Sequence, residues 1–169
     1  MSRFEEASPQ DAEEIRQLVE SAYRGDSARR GWTHEADLLD GERTSMSEIE
    51  RMIDAPEIAL CVARNEEDSI VGCVAVTAVS DTLGYLGMLT VSPTLQSAGL
   101  GTKLLRGAEE KARSMGLKVI EMTVISQRDS LIAWYERSGY RPTGERRPFP
   151  ILRNPPLEFV VLAKPLSAG

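Results

Sequence analysis

The order of helical and extended segments predicts a mixed α+β fold, with one sheet covered by helices on both faces. Apolar residues recur at helical spacing in four segments, and apolar, β-prone runs bounded by turn residues fill five others. At 169 residues the chain has the length of one domain and can bury roughly two-thirds of the surface that its unfolded form exposes. We therefore expect a single domain over residues 1–169.

The first helix is predicted over about residues 9–22. Ser8 is a favourable N-cap residue, Pro9 suits the first helical position, and Asp11 places a negative charge in the first turn. The stretch 24–43 is rich in Gly, Arg, Asp and Glu, and it is predicted as a long loop or a broken helix. Long structured loops often contact substrates, so this stretch is a candidate for acceptor binding.

Three further helices are predicted along the chain. The first has to end before Pro56, because the residue that precedes a proline disfavours helical backbone. The end of the second is marked by Gly116, which stands at the position of a left-handed C-cap. These helices are expected around residues 48–53, 100–115 and 129–137.

Five extended runs are predicted as strands. A polar cluster at residues 65–69 separates the first two runs, a composition typical of a hairpin turn. The last run is entered through the proline-rich stretch 148–156. The strands are expected at residues 58–64, 70–79, 83–91, 118–124 and 157–163.

The charge and the distribution of apolar residues argue against two classes of partner. The formal charge is −6 and the pI is near 5.0, and no block of Lys and Arg could form the basic stripe that nucleic acid requires. No apolar run approaches the ~18 residues of a membrane span, and the first residues lack the apolar stretch of a secretory signal. We expect no nucleic-acid or membrane partner and a cytoplasmic location.

The two cysteines are predicted to be reduced core thiols. Cys61 and Cys73 lie inside apolar β runs, and neither has a histidine or second cysteine at metal-ligand spacing, so no metal site is predicted. If the turn between the runs centres near Glu66 and Glu67, the two thiols lie almost opposite on paired strands. A disulfide is then geometrically conceivable, although a reducing cytosol favours the free thiols.

Residues 89–105 are predicted to form a strand end, a short glycine-containing loop and the first turn of a helix, a geometry that aims several N–H groups at one phosphate. A Walker A loop is excluded, because no glycine stands five residues before Gly101 and Thr102 precedes the lysine. A dinucleotide-binding fingerprint is matched in part. Gly99 and Gly101 fit it, and Glu121 lies at the distance of a ribose-binding acid, but the loop is too long.

A third pattern, Gln-x-x-Gly-x-Gly, is formed by Gln96, Gly99 and Gly101. It follows a strand that ends in Val-x-Pro, and Tyr135 comes 34 residues after Gly101 within Ala-Trp-Tyr-Glu-Arg-Ser-Gly-Tyr. With these linked motifs the sequence resembles the GNAT superfamily of acetyl-CoA-dependent N-acetyltransferases. The element order supports this over roughly residues 3–164, and the specific motifs fall within about 86–140.

The resemblance implies an acyl-CoA N-acyltransferase fold, whose sheet is mixed and mostly antiparallel and contains a splayed central strand pair. It implies transfer of the acetyl group of acetyl-CoA, the acyl-donor cosubstrate, to a primary amine of a small molecule or peptide by direct attack in a ternary complex. The residues that it implies for cofactor binding are Leu89, Thr90, Val91, Gln96, Ser97, Ala98, Gly99, Leu100, Gly101, Thr102, Arg128 and Tyr135.

The resemblance also implies that Tyr135 is the acid that meets the departing thiolate. A phenol near pKa 10 is a weaker acid than a thiol near 8.5, so full proton transfer is uphill by about 2 kcal/mol and hydrogen bonding is the larger expected role. The acceptor amine needs a base, yet the strand at 83–91 has no carboxylate or histidine. The candidates are His34, Glu35 and Asp37, of which Glu35 is preferred, and a water chain is an equal alternative.

Other interpretations stay open at this point. Arg128, where the family commonly has asparagine, could bind a phosphate or a substrate carboxylate, or pair with Asp129 or Glu136. The glycine pair could serve close packing, and Tyr135 could be a core aromatic. The chain could therefore be a non-catalytic CoA-binding module or an NAD(P)-binding oxidoreductase.

The acceptor and the oligomeric state, monomer or homodimer, are also open. Arginines in the 24–43 stretch favour a carboxylate-bearing acceptor, whereas the acids in the same stretch favour a polyamine or a peptide amino terminus.

Overall fold

A computed structural model describes residues 3–24, 45–93, 99–148 and 158–166. Within these ranges the chain forms seven strands and four α-helices, all strands belonging to one sheet in the order β1-β2-β3-β4-β5-β7-β6. The elements are β1 (Arg3–Glu6), a 3-10 turn (Pro9–Asp11), α1 (Ala12–Arg24), α2 (Met46–Asp54), β2 (Ile58–Arg64), β3 (Ile70–Ala78), β4 (Leu83–Val91), α3 (Leu100–Ser114), β5 (Val119–Ile125), α4 (Asp129–Arg137), β6 (Arg141–Pro148) and β7 (Glu158–Pro165).

The sheet is mixed and mostly antiparallel, as predicted. Neighbouring strands run antiparallel at every pairing except one, because β4 and β5 are parallel. A parallel pair needs a crossover, and here α3 supplies it over one face of the sheet. The parallel pair therefore marks the centre of the sheet, where its two antiparallel halves meet.

Helices cover both faces, and each face has its own apolar core. On one face α1 and α2 pack on β2 and β3, with Ile15, Ile49 and Val62 fully buried. On the other face α3 and α4 pack on the strands, with Leu104 and Ile120 fully buried. Strand side chains alternate between the faces, and β2 and β3 contribute buried residues to both cores.

The predicted helices and five predicted strands are confirmed within a few residues, but two strands were missed. β1 has only four residues and lies at the edge of the sheet. β6 is exposed along nearly its whole length, contains Pro142 and Pro148, and is interrupted where Gly144 adopts a φ of +90°. Neither strand has the apolar alternation that identifies a half-buried strand, so both depend on pairing with a neighbour.

The disulfide hypothesis is wrong. Val62 pairs with Cys73 and Cys61 pairs with Val74, an offset of one residue that sends the two sulfurs to opposite faces of the sheet. Cys61 belongs to the core under α3 and Cys73 to the core under α1, and both are free. Burial raises the pKa of Cys61 to about 11 and that of Cys73 to about 12, so both thiols are protonated and unreactive at neutral pH.

Most of the predicted 24–43 loop lies outside the described residues. Within the described ranges, the helices are all too short and too polar to cross a membrane. The single-domain assignment over residues 1–169 stays a prediction.

Candidate active site

The central parallel strands separate partway along their length. β4 pairs with β5 only from Leu83 to Tyr85, opposite Val119 to Glu121. Beyond these positions β5 continues along β7 as far as Ile125, while β4 continues along β3. A gap therefore opens in the middle of the sheet beyond Tyr85, which confirms the splayed central strand pair.

A bulge shapes the β4 side of this gap. The β3–β4 register shifts between Cys73 and Ala75, and Met88 adopts a left-handed φ of +53°. The Met88 carbonyl accepts a hydrogen bond from Thr90 Oγ1 at 3.0 Å, and Leu89 falls outside both ladders in the described part of the sheet. The three predicted cofactor contacts on β4, residues 89–91, thus lie where the strand has no ladder partner on its β5 side.

Two helices begin near this gap. Because β4 and β5 are parallel, the connections to α3 and α4 leave the sheet at the same edge, where ligands commonly bind in open sheets. Gly99 is the N-cap of α3 with a φ of +81°, and no atom of the described residues lies within 4 Å of a Cβ built on it. Leu100, Gly101 and Thr102 form the first turn, whose N–H groups have no acceptor within the helix.

Several predicted site residues lie outside the described ranges. These are Gln96, Ser97 and Ala98 of the loop and the base candidates His34, Glu35 and Asp37.

A cavity of about 350 Å³ lies between α3 and α4. Arg106, Arg137 and Lys164 bring three positive charges to its wall, of which Lys164 is paired with Glu109. Thr102 places the first turn of α3 at its margin. A positively charged cleft beside a helix N-terminus suits a ligand with several phosphates. The lining residues are Thr102, Leu105, Arg106, Glu109, Trp134, Arg137, Ser138 and Lys164.

A hydrogen-bonded polar cluster forms part of the cavity wall. Glu109 is 5% exposed and accepts hydrogen bonds from Tyr140 Oη at 2.9 Å and from Lys164 Nζ at 3.1 Å. Lys164 Nζ also donates to the carbonyl of Ser138, just after α4, at 2.9 Å. Burial and the negative charge of Glu109 raise the pKa of the Tyr140 phenol, so this hydroxyl stays a donor. The cluster ties α3, β7 and the end of α4 together.

Tyr135 lies on the same face of the sheet as α3. It is 6% exposed and belongs to the core that contains Leu104. Its ring makes edge-to-face contacts with Trp134 at 4.9 Å and Tyr140 at 5.9 Å between centroids. Such contacts fix the orientation of the ring. Its burial also agrees with the alternative interpretation of a core aromatic, so its acid role stays a prediction.

Arg128 lies at the junction of β5 and α4. Its N–H donates to the Ile125 carbonyl at 2.9 Å, and its carbonyl accepts from the Ile132 N–H at 3.0 Å. The half-buried residue is thus fixed by its backbone at the edge where the strands separate.

The opposite face of the gap carries polar residues to which the sequence analysis gave no role as a group. Tyr85 Oη and Thr123 Oγ1 are 2.6 Å apart, and Arg147 Nη2 donates to Glu121 Oε1 at 3.1 Å. Strand alternation could have placed Tyr85, Glu121 and Thr123 on one face, but Arg147 belongs to the missed strand β6. In the described part of the chain no cluster of His, Cys, Asp and Glu could hold a metal ion.

Comparison with known proteins identifies the class. The model of the acetyltransferase (GNAT) family matches residues 9–140, and the chain belongs to this family. It is 31% identical over 106 residues to an amino-acid acetyltransferase from Pseudomonas paraeruginosa and 33% identical over 79 residues to one from Azotobacter vinelandii. These matches cover 62% and 46% of this chain but only 22% and 17% of the relatives' own lengths.

Solved structures agree on the fold. The ribosomal-protein-S18-alanine N-acetyltransferase from Escherichia coli superposes with a TM-score of 0.76 at 15% identity, covering 100% of this chain and 96% of that one. A GNAT phosphinothricin acetyltransferase from Sinorhizobium meliloti, solved with acetyl-CoA, superposes with a TM-score of 0.74 at 16% identity, covering 99% and 90%.

The family is one of enzymes that acetylate amine acceptors, and acetyl-CoA is its acyl donor. The oxidoreductase alternative is wrong, because a dinucleotide-binding fold has a mostly parallel sheet and this sheet is mostly antiparallel.

Proposed function

We propose that this chain transfers the acetyl group of acetyl-CoA to the primary amine of a small molecule or peptide. The observation that carries the proposal is the gap between β4 and β5, flanked on one face by the N-terminus of α3 and the α3–α4 cavity. In this arrangement the diphosphate binds at the start of α3 and the thioester reaches into the gap. The acceptor amine then attacks it directly.

The cofactor contacts in this proposal follow from local backbone geometry. The first turn of α3 offers N–H groups to the diphosphate, assisted by the positive end of the helix dipole. Residues 96–98 stay in the proposed diphosphate site on the sequence motif alone. On β4, residues 89–91 offer unpaired backbone groups to the pantetheine amides, in the manner of an added strand. In this proposal Arg106 and Arg137, which line the cavity, and Arg128, which precedes α4, bind the remaining phosphate charge.

Tyr135 stabilises the departing thiolate in this proposal. It lies on the cofactor face of the sheet, and its contacts with Trp134 and Tyr140 hold the ring in place. A phenol that donates a hydrogen bond lowers the energy of the thiolate without completing the proton transfer.

The relatives narrow the acceptor class. The Pseudomonas and Azotobacter relatives are named for amino acids, and the Escherichia coli structure is named for an alanine of a ribosomal protein. A small amino compound with an α-amino group is thus the proposed acceptor. Glu35 remains the proposed base, with a water chain as its alternative.

The N-terminal glycine of α3 provides the sharpest test, because the helix offers a matched control. Gly99 and Gly116 have φ values of +81° and +84°, and a Cβ on either meets no atom of the described residues within 4 Å. Substitution by valine strains both positions in the same way, each by at least about 1–2 kcal/mol. We expect isothermal titration to show at least tenfold weaker acetyl-CoA binding in Gly99→Val only. Equal affinities in the two variants would contradict a diphosphate site at Gly99.

Tyr135→Phe tests the second part of the proposal. The change removes one hydroxyl and keeps the ring that packs against Tyr140. We expect kcat to fall at least tenfold, which corresponds to about 1.4 kcal/mol of transition-state stabilisation, while acetyl-CoA affinity stays the same. An unchanged kcat in a steady-state assay would assign the stabilisation of the thiolate to water or another group.

An unsubstituted protein that binds acetyl-CoA but acetylates none of the amines tested would favour the non-catalytic CoA-binding module.

A further inference from the structure

The gap between β4 and β5 has two faces, and only one of them carries the proposed cofactor site. Leu86 on β4 and Ile120 and Met122 on β5 belong to the core under α3. Because strand side chains alternate, Tyr85, Glu121 and Thr123 point to the opposite face. With the cofactor on the α3 side, an acceptor reaches the thioester from this second face.

The second face has a defined floor. Tyr85 and Glu121 are the last residues that pair before the strands separate. The hydrogen bond of 2.6 Å between Tyr85 and Thr123 spans the two strands just beyond this point. A Cβ built on Gly87 meets only the Tyr85 ring, at 3.6 Å, among the described residues. The Tyr85 ring is thus the nearest described group to Gly87 on this face.

A charged pair borders this floor. Arg147 Nη2 donates to Glu121 Oε1, and Arg147 Nε donates to Glu145 Oε2 at 2.8 Å. The side chain of Glu121 is 14% exposed and that of Arg147 is 36% exposed. Within the described part of the chain, Glu121 Oε2 accepts no hydrogen bond and Arg147 Nη1 donates none. The paired side chains of Glu121 and Arg147 thus each keep one polar atom that no described residue uses.

We propose that this pair binds a free α-amino acid as the acceptor, with Glu121 contacting its ammonium group and Arg147 its carboxylate. The assignment rests on the proposed function and adds the substrate class. An α-amino acid carries both charges on one carbon, so it satisfies two adjacent and opposite side chains at once. A polyamine, or the amino terminus of a peptide, brings no α-carboxylate to Arg147 Nη1.

The test compares each standard L-amino acid with its α-carboxamide, called the amide below, which keeps the α-amine and replaces the α-carboxylate by a neutral group. We expect the unsubstituted protein to prefer the acid over the amide by at least tenfold in kcat/KM. Arg147→Gln should raise KM for the acid at least tenfold and leave the amide unchanged. Glu121→Gln should raise KM for both, because both carry the ammonium group.

Arg146→Gln is the matched control. Arg146 is the neighbouring residue of β6 and pairs with Val160. Its Nη1 lies 3.6 Å from Oε1 of exposed Glu158, and its side chain points to the other face of the sheet. It should keep the preference for the acid. Acetyl-CoA affinity should be the same in all three variants, and each variant is assayed well below its own unfolding temperature, which separates an acceptor effect from misfolding.

Two results overturn the assignment. An Arg147→Gln variant that keeps the preference, or an unsubstituted protein that uses acids and amides equally, removes the amino-acid assignment and leaves the acetyltransferase proposal in place. A protein that does not bind acetyl-CoA at all removes both.

Discussion

The cluster around Arg64 and the cluster around Lys164 use similar chemistry but join different elements. Arg64 Nη2 donates to Asp11 Oδ1 at 2.6 Å, and its Nε donates to Glu5 Oε2 at 2.8 Å. Lys164 Nζ donates to buried Glu109, which also accepts from Tyr140. In both clusters a cation is paired with carboxylates and is largely buried, since 10% of the Arg64 side chain and 26% of the Lys164 side chain are exposed.

The difference lies in what each cluster holds in place. Arg64 connects β2 to β1 and to the turn before α1, all of which lie away from the β4–β5 gap. Lys164 connects β7 to α3 and to the carbonyl that follows α4, and it lines the cavity between these helices. The chemistry of a buried ion pair therefore does not reveal its role, whereas the elements that it joins do.

The largest expected effect separates stability from activity at Arg64. Arg64→Met leaves Asp11, whose side chain is only 12% exposed, without its cation. Breaking a buried pair from one side costs about 3 kcal/mol in the free energy of unfolding. Urea unfolding should show this loss, while kcat per folded molecule and acetyl-CoA affinity stay the same. The exposed pair of Arg51 and Glu48 is the control, and Arg51→Met should cost less than about 0.5 kcal/mol.

The next effect should couple stability to cofactor binding. Lys164→Met removes the cation from Glu109, but Tyr140 still donates to that carboxylate and Lys164 is partly exposed, so we expect a smaller loss of about 2 kcal/mol. Because the bond to the Ser138 carbonyl is lost as well, acetyl-CoA should bind about tenfold more weakly.

Calorimetry of Lys164→Met beside Lys118→Met, an exposed lysine just before β5, checks this coupling. If Lys164→Met loses stability but binds acetyl-CoA with unchanged affinity, the Lys164 cluster has only a structural role, as the Arg64 cluster does.

The smallest effect is the pH dependence of the Arg64 cluster. Burial by itself would raise the pKa of Asp11, but the Ser8 N–H and the Arg64 guanidinium outweigh it and hold the pKa below the ordinary value of 3.8. A carboxyl whose pKa is lower in the folded state adds stability above its unfolded pKa, and this stability is lost as the pH falls through the folded pKa.

Unfolding followed from neutral pH to below 3.8 should show this loss in the unsubstituted protein. Asp11→Asn should lack that contribution. Identical slopes for the two proteins would assign acid sensitivity to other carboxyls.

Several elements could be predicted because residues within or next to the element mark its type and its ends. The strand at 83–91 is predicted to the residue, since an apolar run is bounded by polar turn residues on one side and by Pro93 on the other. The helix at 129–137 is predicted equally well. β6 could not be predicted in this way, because its pairing with β7 and not its own composition makes it a strand.

The candidate site was predictable on one face only. The glycine loop and Tyr135 belong to short motifs, so the cofactor side could be proposed from residues near each other in the chain. The Glu121–Arg147 pair joins residues 26 positions apart through the β5-β7-β6 order of the sheet. No local pattern contains that information.

By itself the sequence determined the class of fold and most of the helices and strands, and it supplied the candidate cofactor loop, since helix caps, apolar periodicity and short motifs act over a few residues. The tertiary structure decided where β4 and β5 separate, which face each cysteine occupies and which charges meet across the sheet. These features depend on strand order and register, and a shift of one residue in register moves a side chain to the other face.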